Sequence, residues 1–559
     1  MSTVSDSRSS RASPVRIRRR PDKTMAPMPR EDISRGIIQT EVSPALARVM
    51  TAVFLAVIVV LPVVQAGIER GLKRHIQALD AFRRVPTREN LSQFEKELSR
   101  HSALRQAIQP RFQLALSRFL GFGNTNVIIG QDGWLFYRPG LEYMTGPGLF
   151  DDARLRLRER ELSESGEKRP CPDPRPAILD FNQQCKKVGA HLVVVAIPDK
   201  SMLQPAELTS RLAFEGALAT PNNSDWSRFL DGLKANGVDV FEPTPEYLVA
   251  GETPRFLRQD THWTPLWMEI VARDLAEYLK RKVPLGPESS RSFYVREKQV
   301  SRVGDIVDML QLPPDQRLFP PQSITIQRVI DSHTGAAWQP KESADVLLLG
   351  DSFSNIYCTA DMGWGDAGGF PAQLARFLAR DVDVIARNGS GASSTRRELA
   401  RRPNGLSGKR LVVWEFAMRD LVGANWEIVP MPATSASDGI GRVAEESMAA
   451  SLLIKATVVA TSRVPTPFSI PYKDCLTYIK LHVDRVFEGA TRDDQMIAVF
   501  WGMKDNVLLP AADYHAGQRL RLKAVPLKKA PLNLQSVRRV DDLDDFDHPP
   551  YFILEAEPR

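Results

Sequence analysis

The patterned part of the chain opens on an uncharged apolar run. From Met50 to Ala66 it reads MTAVFLAVIVVLPVVQA, and the apolar character continues through Gly67 and Ile68. At helical rise these nineteen residues span about 28 Å, enough to cross a hydrocarbon core. The run predicts a transmembrane helix over 48–68. A buried core helix or a cleaved signal peptide fits less well, because the 49 preceding residues are too long for a signal n-region. Over 71–125 the apolar positions Phe82, Leu91, Phe94, Leu98, Leu104 and Ile108 recur at helical spacing. They predict a helical stalk lying on the main domain. NVIIGQDGWLFYRPG, 126–140, predicts a hairpin with Asp132-Gly133 at its turn.

From about residue 175 the period changes. A helix near 177–189 precedes the strand 191–198, and a helix near 225–236 precedes the strand 238–241. A further helix is predicted over 264–281, then strands at 345–350, 382–386 and 410–416. These strands are short, apolar and β-branched, the pattern of a parallel sheet covered on both faces. The alternation predicts an α/β domain over 126–430. After about 430 the helical signal stops. Segments such as IKATVVAT, LTYIKLHVDRV, MIAVFWG, RLRLKAV and YFILE predict an all-β barrel or sandwich over 445–559.

Charge refines this picture. The chain of 559 residues carries a net charge of +7. Residues 1–49 hold ten Lys/Arg against five Asp/Glu, so most of the excess sits in a Ser-, Arg- and Pro-rich tail. That distribution argues against a nucleic-acid partner. It predicts a disordered cytoplasmic tail over 1–47, with the remaining chain on the outer side of a bacterial inner membrane. Lys73, Arg74 and Arg70 follow the span and pull the other way. The four cysteines, Cys171, Cys185, Cys358 and Cys475, show no metal-ligand spacing, and neither metal nor cofactor is expected. Cys171 and Cys185 are placed either to pair or to stay as thiols.

The sharpest chemical signal is Gly350-Asp351-Ser352 at the end of an apolar strand. Such a turn lifts the Ser352 hydroxyl to the carboxyl edge of the sheet, where N–H groups of a following helix can face an oxyanion. A bland alternative is a helix cap. A serine nucleophile needs a base, and the base needs an orienting partner. Asp260-Thr261-His262-Trp263 offers both, with His262 as base and Asp260 holding its second nitrogen; a capping Asp and a packed His are the alternative.

With these residues the chain resembles the SGNH (GDSL) hydrolase superfamily. Residues 387–395, RNGSGASST, are similar to its glycine loop, with Gly391 at the oxyanion position. Arg419 stands where that superfamily carries an asparagine, and Asp-x-His precedes the serine instead of following it. This permuted order, with Asp-Thr-His-Trp, resembles the alginate O-acetyltransferase (AlgJ/AlgX-like) family. So do Gly130-Gln131-Asp132-Gly133-Trp134-Leu135-Phe136, Pro198-Asp199-Lys200 and Gly304-Asp305. The resemblance covers roughly 75–425. It implies a circularly permuted, SGNH-like (flavodoxin-like) three-layer α/β fold. It also implies an acetyl-Ser352 intermediate formed with His262 and Asp260, with Gly391 and Arg419 at the oxyanion. It implies a polysaccharide acceptor, periplasmic exposure, and a membrane-bound O-acyltransferase that supplies acetyl groups. The same residues would serve a carbohydrate acetylesterase. A non-catalytic polysaccharide-binding scaffold of an export complex is the contrasting reading, and the C-terminal β-domain is a candidate carbohydrate-binding module.

Other features have quieter readings. Arg396, Arg397, Arg401 and Arg402 predict a solvated helix face, or a contact for a polyanion. Asp541, Asp542, Asp544, Asp545 and Asp547 predict an acidic surface turn, their spacing matching no calcium loop. Tyr357 and Trp364 are placed either to stack on a sugar or to fill the core.

Overall fold

The computed structural model describes residues 43–71, a few positions between 72 and 101, and, with short interruptions, 102–432 and 451–558. The tail expected over 1–47 lies almost wholly outside the described residues. The chain divides into two compact units, Met1–Arg105 and Gln106–Arg559. The first unit contains the helix Pro44–Gly71, which is apolar and long enough to cross a membrane. It extends a few residues beyond the predicted 48–68 at each end. Of the predicted stalk, Phe82 and Leu98 lie outside the described residues. The helix Ala103–Leu120 is present, but Ile108 is exposed instead of packing as its spacing predicted.

The second unit starts with an antiparallel hairpin, β1 (Val127–Ile129) and β2 (Leu135–Tyr137). Its loop turns at Asp132 and Gly133, both at positive φ. Further strands are β3 (His191–Ile197), β4 (Asp239–Phe241), β5 (Phe293–Arg302), β6 (Gln322–Asp331), β7 (Val346–Gly350), β8 (Asp383–Ala386) and β9 (Leu411–Ala417). Five of them form a parallel sheet in the order β4-β3-β9-β7-β8. Alternating residues of the strands feed two separate cores. Val193, Val195, Val346, Leu348 and Val413 pack with the helices Pro265–Lys282 and Phe370–Leu378. Leu192, Val194, Leu347, Leu349, Val412 and Trp414 pack with Pro174–Lys187, Trp226–Ala235 and Ser394–Ala400 on the other face. The result is the predicted three-layer arrangement. β9, last in sequence, is inserted between β3 and β7, so the carboxyl ends of those three strands lie side by side.

The C-terminal region adds β10 (Leu452–Thr461), β11 (Cys475–Glu488), β12 (Gln495–Lys504), β13 (Val507–Leu508), β14 (Arg519–Pro526), β15 (Arg538–Val540) and β16 (Pro550–Pro558). Five of these close on themselves: β10–β11–β12–β16–β14–β10. Only the β12–β16 pairing within this ring is parallel, giving the connectivity of a five-stranded Greek-key barrel of the OB type. Leu452, Ile454, Ala456, Ile479, Leu481 and Leu522 fill its interior.

The barrel docks on the α/β domain, and this corrects two expectations. Arg396, Arg397, Arg401 and Arg402 are not a solvated helix face. The Arg396 guanidinium is buried over the Trp414 ring, Arg397 pairs with Glu427, and Arg402 pairs with Asp383. Arg401 grips both carboxylate oxygens of Asp541, at 2.8 and 2.9 Å. Asp544 and Asp547 of the acidic run lie outside the described residues, but Asp541 and Asp545 are no free surface turn: Asp541 holds Arg401, and Asp545 holds Lys480 and His548. Arg539 adds a 3.0 Å pair with Glu398. Removing one partner of a buried pair leaves the other charge uncompensated. Arg401→Ala is therefore expected to lower unfolding stability by about 3 kcal/mol. The double replacement Arg401→Met with Asp541→Leu is expected to recover most of that loss, as read by urea unfolding. A single replacement with no loss would mean the docking charges are unimportant.

Candidate active site

Ser352 begins the short helix Ser352–Asn355 directly after β7. The Asp351 carboxylate caps it, accepting from Phe353 N at 2.7 Å, while its other oxygen accepts from Ala417 N at the end of β9. Gly350 is required by close approach: a Cβ there would lie 2.4 Å from Ser354 Oγ and 2.8 Å from Glu415 Oε2. Glu415, in β9, accepts from Ser354 Oγ and Asp351 N. Burial, together with the Asp351 charge, raises its pKa well above the ordinary value. The capping role and the strand-end role of Gly-Asp-Ser thus coexist.

Asp260 and His262 stand in a turn ahead of the helix Pro265–Lys282. Thr264 caps that helix and Pro265 occupies its first turn, which fixes where the turn ends. Asp260 Oδ1 accepts from His262 N at 3.2 Å and meets His262 Nδ1 at 2.6 Å. One carboxylate oxygen therefore closes the turn and holds the imidazole. Asp260 Oδ2 accepts from Asp305 N at 3.1 Å and from the Trp364 indole at 2.9 Å. Burial opposes its charge, but His262 and these donors outweigh it and hold its pKa well below the ordinary value. Asp305 in turn accepts from Thr261 N and Oγ1. Burial and the Asp260 charge push the Asp305 pKa up to about 6. Asp260, His262 and Asp305 cluster closely enough to hold a cation. The N–H donors that converge on both Asp260 oxygens fit a hydrogen-bonded carboxylate better than a metal ligand.

Two hydrogen bonds bring the distant stretches together. The Trp263 indole donates to Phe353 O at 3.1 Å, and Tyr357 donates to Trp263 O at 2.5 Å. The His262 ring lies 5.0 Å from the ring of Phe353, the residue after Ser352. His262 Nε2 is buried, without a hydrogen-bond partner among the described residues. Tyr357 and Trp364, both almost fully buried, lock this geometry instead of offering a sugar platform. Ser352 Oγ has its own partner, the hydroxyl of Tyr472 at 2.9 Å.

The other predicted residues flank Ser352. A Cβ on Gly391 would lie 3.1 Å from Asp351 Cβ, so the glycine loop after β8 rests on the residue before Ser352. Arg419, after β9, lies with its guanidinium carbon 5.3 Å from the Phe353 ring centroid. Its Nη1 is 2.6 Å from Asp199 Oδ1, and its backbone N donates to Asp199 Oδ2 at 3.0 Å. Burial disfavours its charge, but Asp199, Asp420 and Asp351 more than offset this. Cys171 and Cys185 are free thiols, and burial pushes Cys185 up to about 12.

Sequence reasoning did not assign Asp305, Lys200 or Tyr472 a role in the site, although Gly304-Asp305 and Pro198-Asp199-Lys200 carried part of the resemblance. Lys200 Nζ is buried and donates to Leu135 O at 2.8 Å. Burial, opposed by Asp260 and Asp305, lowers its pKa from 10.5 to about 7. Between these values the unfolded chain binds more protons than the folded one. Stability should therefore rise with pH across that window, by at most about 1.4 kcal/mol per unit. Lys200→Met is expected to flatten this rise in unfolding measurements from pH 7 to 10, and an unchanged slope would place the titration elsewhere.

A parallel sheet between two helical layers, with Gly-Asp-Ser at its carboxyl edge, defines an SGNH-like α/β domain. A family model described as "SGNH hydrolase-like domain, acetyltransferase AlgX" matches residues 127–418. The chain belongs to that family. A probable alginate O-acetylase AlgJ of Pseudomonas fluorescens is 25% identical over 305 residues, 54% of this chain and 69% of the relative. That of Pseudomonas aeruginosa is 27% identical over 319 residues, 54% of this chain and 71% of its own. Among solved structures, the O-acetyltransferase domain of Pseudomonas putida AlgJ has a TM-score of 0.40 at 22% identity, covering 57% of this chain and 97% of that one. The family match ends before the barrel.

Proposed function

We propose that the chain is a membrane-anchored O-acetyltransferase that places acetyl groups on hydroxyls of an alginate-like exopolysaccharide through acetyl-Ser352. The observation that carries this reading is the buried Asp260–His262 pair, whose Nε2 has no partner among the described residues and whose neighbour Trp263 is hydrogen-bonded to Phe353 and Tyr357, just after Ser352. Membership in an acetyltransferase family and the alginate O-acetylase relatives support the acyl group and the acceptor class.

Ser352 Oγ attacks the acetyl carbonyl as His262 Nε2 takes its proton, and Asp260 stabilises the imidazolium. The Ser352 and Gly391 N–H groups, with the Arg419 charge behind them, face the oxyanion. Collapse expels the donor's leaving group, which takes the proton from His262. A sugar hydroxyl then gives its proton to His262 and attacks the acetyl-serine, and collapse breaks the acetyl–Oγ bond as His262 returns the proton to Ser352. The helix Pro44–Gly71 would hold the site on the periplasmic face, where a polymer emerges and a membrane-bound O-acyltransferase partner can supply acetyl groups.

Mass spectrometry of the full chain incubated with an acetyl donor and an oligosaccharide tests this. Acetyl on Ser352 and on the sugar is the expected result. Acetyl-serine that yields only free acetate makes the protein an esterase. Absence of acetyl-Ser352 removes the proposal.

A further inference from the structure

The site described so far uses only the α/β domain, but the barrel reaches into it. Tyr472 lies between β10 and β11, the first connection of the five-stranded ring. Its hydroxyl stands 2.9 Å from Ser352 Oγ, oriented to donate. Three features fix it there. Gly389, at φ 63°, leaves room for its ring: a Cβ on Gly389 would lie 2.4 Å from Tyr472 Cε2. Lys473 pairs with Asp308 of the α/β domain at 2.9 Å. Arg538 of β15 donates to Gly389 O at 2.8 Å.

The usual side-chain donor of an SGNH oxyanion hole is replaced here by Arg419, whose guanidinium is held by Asp199 at 2.6 Å. We propose that Tyr472, delivered by the C-terminal barrel, is the side-chain hydrogen-bond donor to the oxyanion formed on Ser352. When Oγ bonds to the acetyl carbon, the carbonyl electron pair moves to oxygen and the Oγ proton moves to His262 Nε2. The new oxyanion sits two bonds from Oγ, within a small rotation of the same phenol. Burial, with the Asp351 charge, raises the Tyr472 pKa, so the phenol stays protonated and able to donate. The barrel is then part of the active site, not an appended binding module.

The proposal rests on Ser352 being the acylated residue, and its test separates the two. The full chain in detergent is assayed with p-nitrophenyl acetate. Tyr472→Phe is expected to lower kcat for acylation by about 100-fold or more with KM unchanged, the effect of removing one oxyanion donor. Lys473→Met, which removes one of the three contacts that fix the phenol but leaves its hydroxyl in place, is expected to lower the rate by less than about tenfold. An unchanged or faster rate in Tyr472→Phe overturns the proposal, as does an equal loss in Lys473→Met. Acylation that persists in Ser352→Ala would instead sink the reading of Ser352 itself.

Discussion

On the proposed mechanism, Ser352→Ala is expected to abolish the acetyl-enzyme and to leave the acceptor polysaccharide unacetylated. Loss of a nucleophile that works as a unit with its base costs on the order of 10⁶ in rate. The fold should survive. Ser352 Oγ accepts one hydrogen bond, from Tyr472, and loss of a single hydrogen bond costs about 1 kcal/mol. The informative comparison is Ser354, two residues on in the same short helix. Its hydroxyl is buried and donates to Glu415 Oε2 at 2.5 Å, so it serves the strand end and not the reaction. Ser354→Ala should therefore keep acetyl-enzyme formation while lowering the unfolding midpoint. Intact-mass measurement after exposure to an acetyl ester checks both variants. Acylation retained in Ser352→Ala and lost in Ser354→Ala would move the nucleophile and dismantle the proposed mechanism.

The same contrast shows how far the sequence could be read. The sheet was legible because strands buried on both faces need continuous apolar runs, as in Val346–Gly350 and Leu411–Ala417. The hairpin was legible because Asp132-Gly133 suits positive φ. β5 and β6 were missed for the opposite reason. They form a ribbon of two strands pairing over ten residues each; β5 is largely exposed and β6 buries only Ile326 and Val329–Asp331, so neither has the continuous apolar run of the sheet strands. The arginines of the helix Ser394–Ala400 misled because charge suggests solvent unless its counter-charge is known. Here the counter-charges Asp541 and Glu427 lie far along the chain. Ser352, His262 and Asp260 could be proposed from residue type and spacing. Tyr472 could not, because a single tyrosine in a loop carries no pattern until the barrel's closure brings it to the sheet edge.

Asp260→Asn should lower kcat by about 10⁴-fold while leaving the fold in place, and the reason lies in the donor count around the carboxylate. Asp260 accepts from His262 Nδ1, His262 N, Asp305 N and the Trp364 indole. An asparagine has one acceptor oxygen for two pairs of donors. If its oxygen faces His262, its amide N–H groups oppose Asp305 N and Trp364, and no negative charge remains to stabilise the imidazolium. If it turns round, the amide donates to Nδ1 and drives the proton onto Nε2, the atom that must accept from Ser352. Either orientation disables the base, whereas a merely structural Asp260 would cost stability without touching turnover at low temperature. Steady-state rates with a model acetyl ester, measured well below the melting transition, separate the two. The expected result is a collapse of kcat with unfolding shifted by only a few degrees. A variant that melts early yet turns over normally would reduce Asp260 to a helix-preceding cap and take the His262 assignment with it.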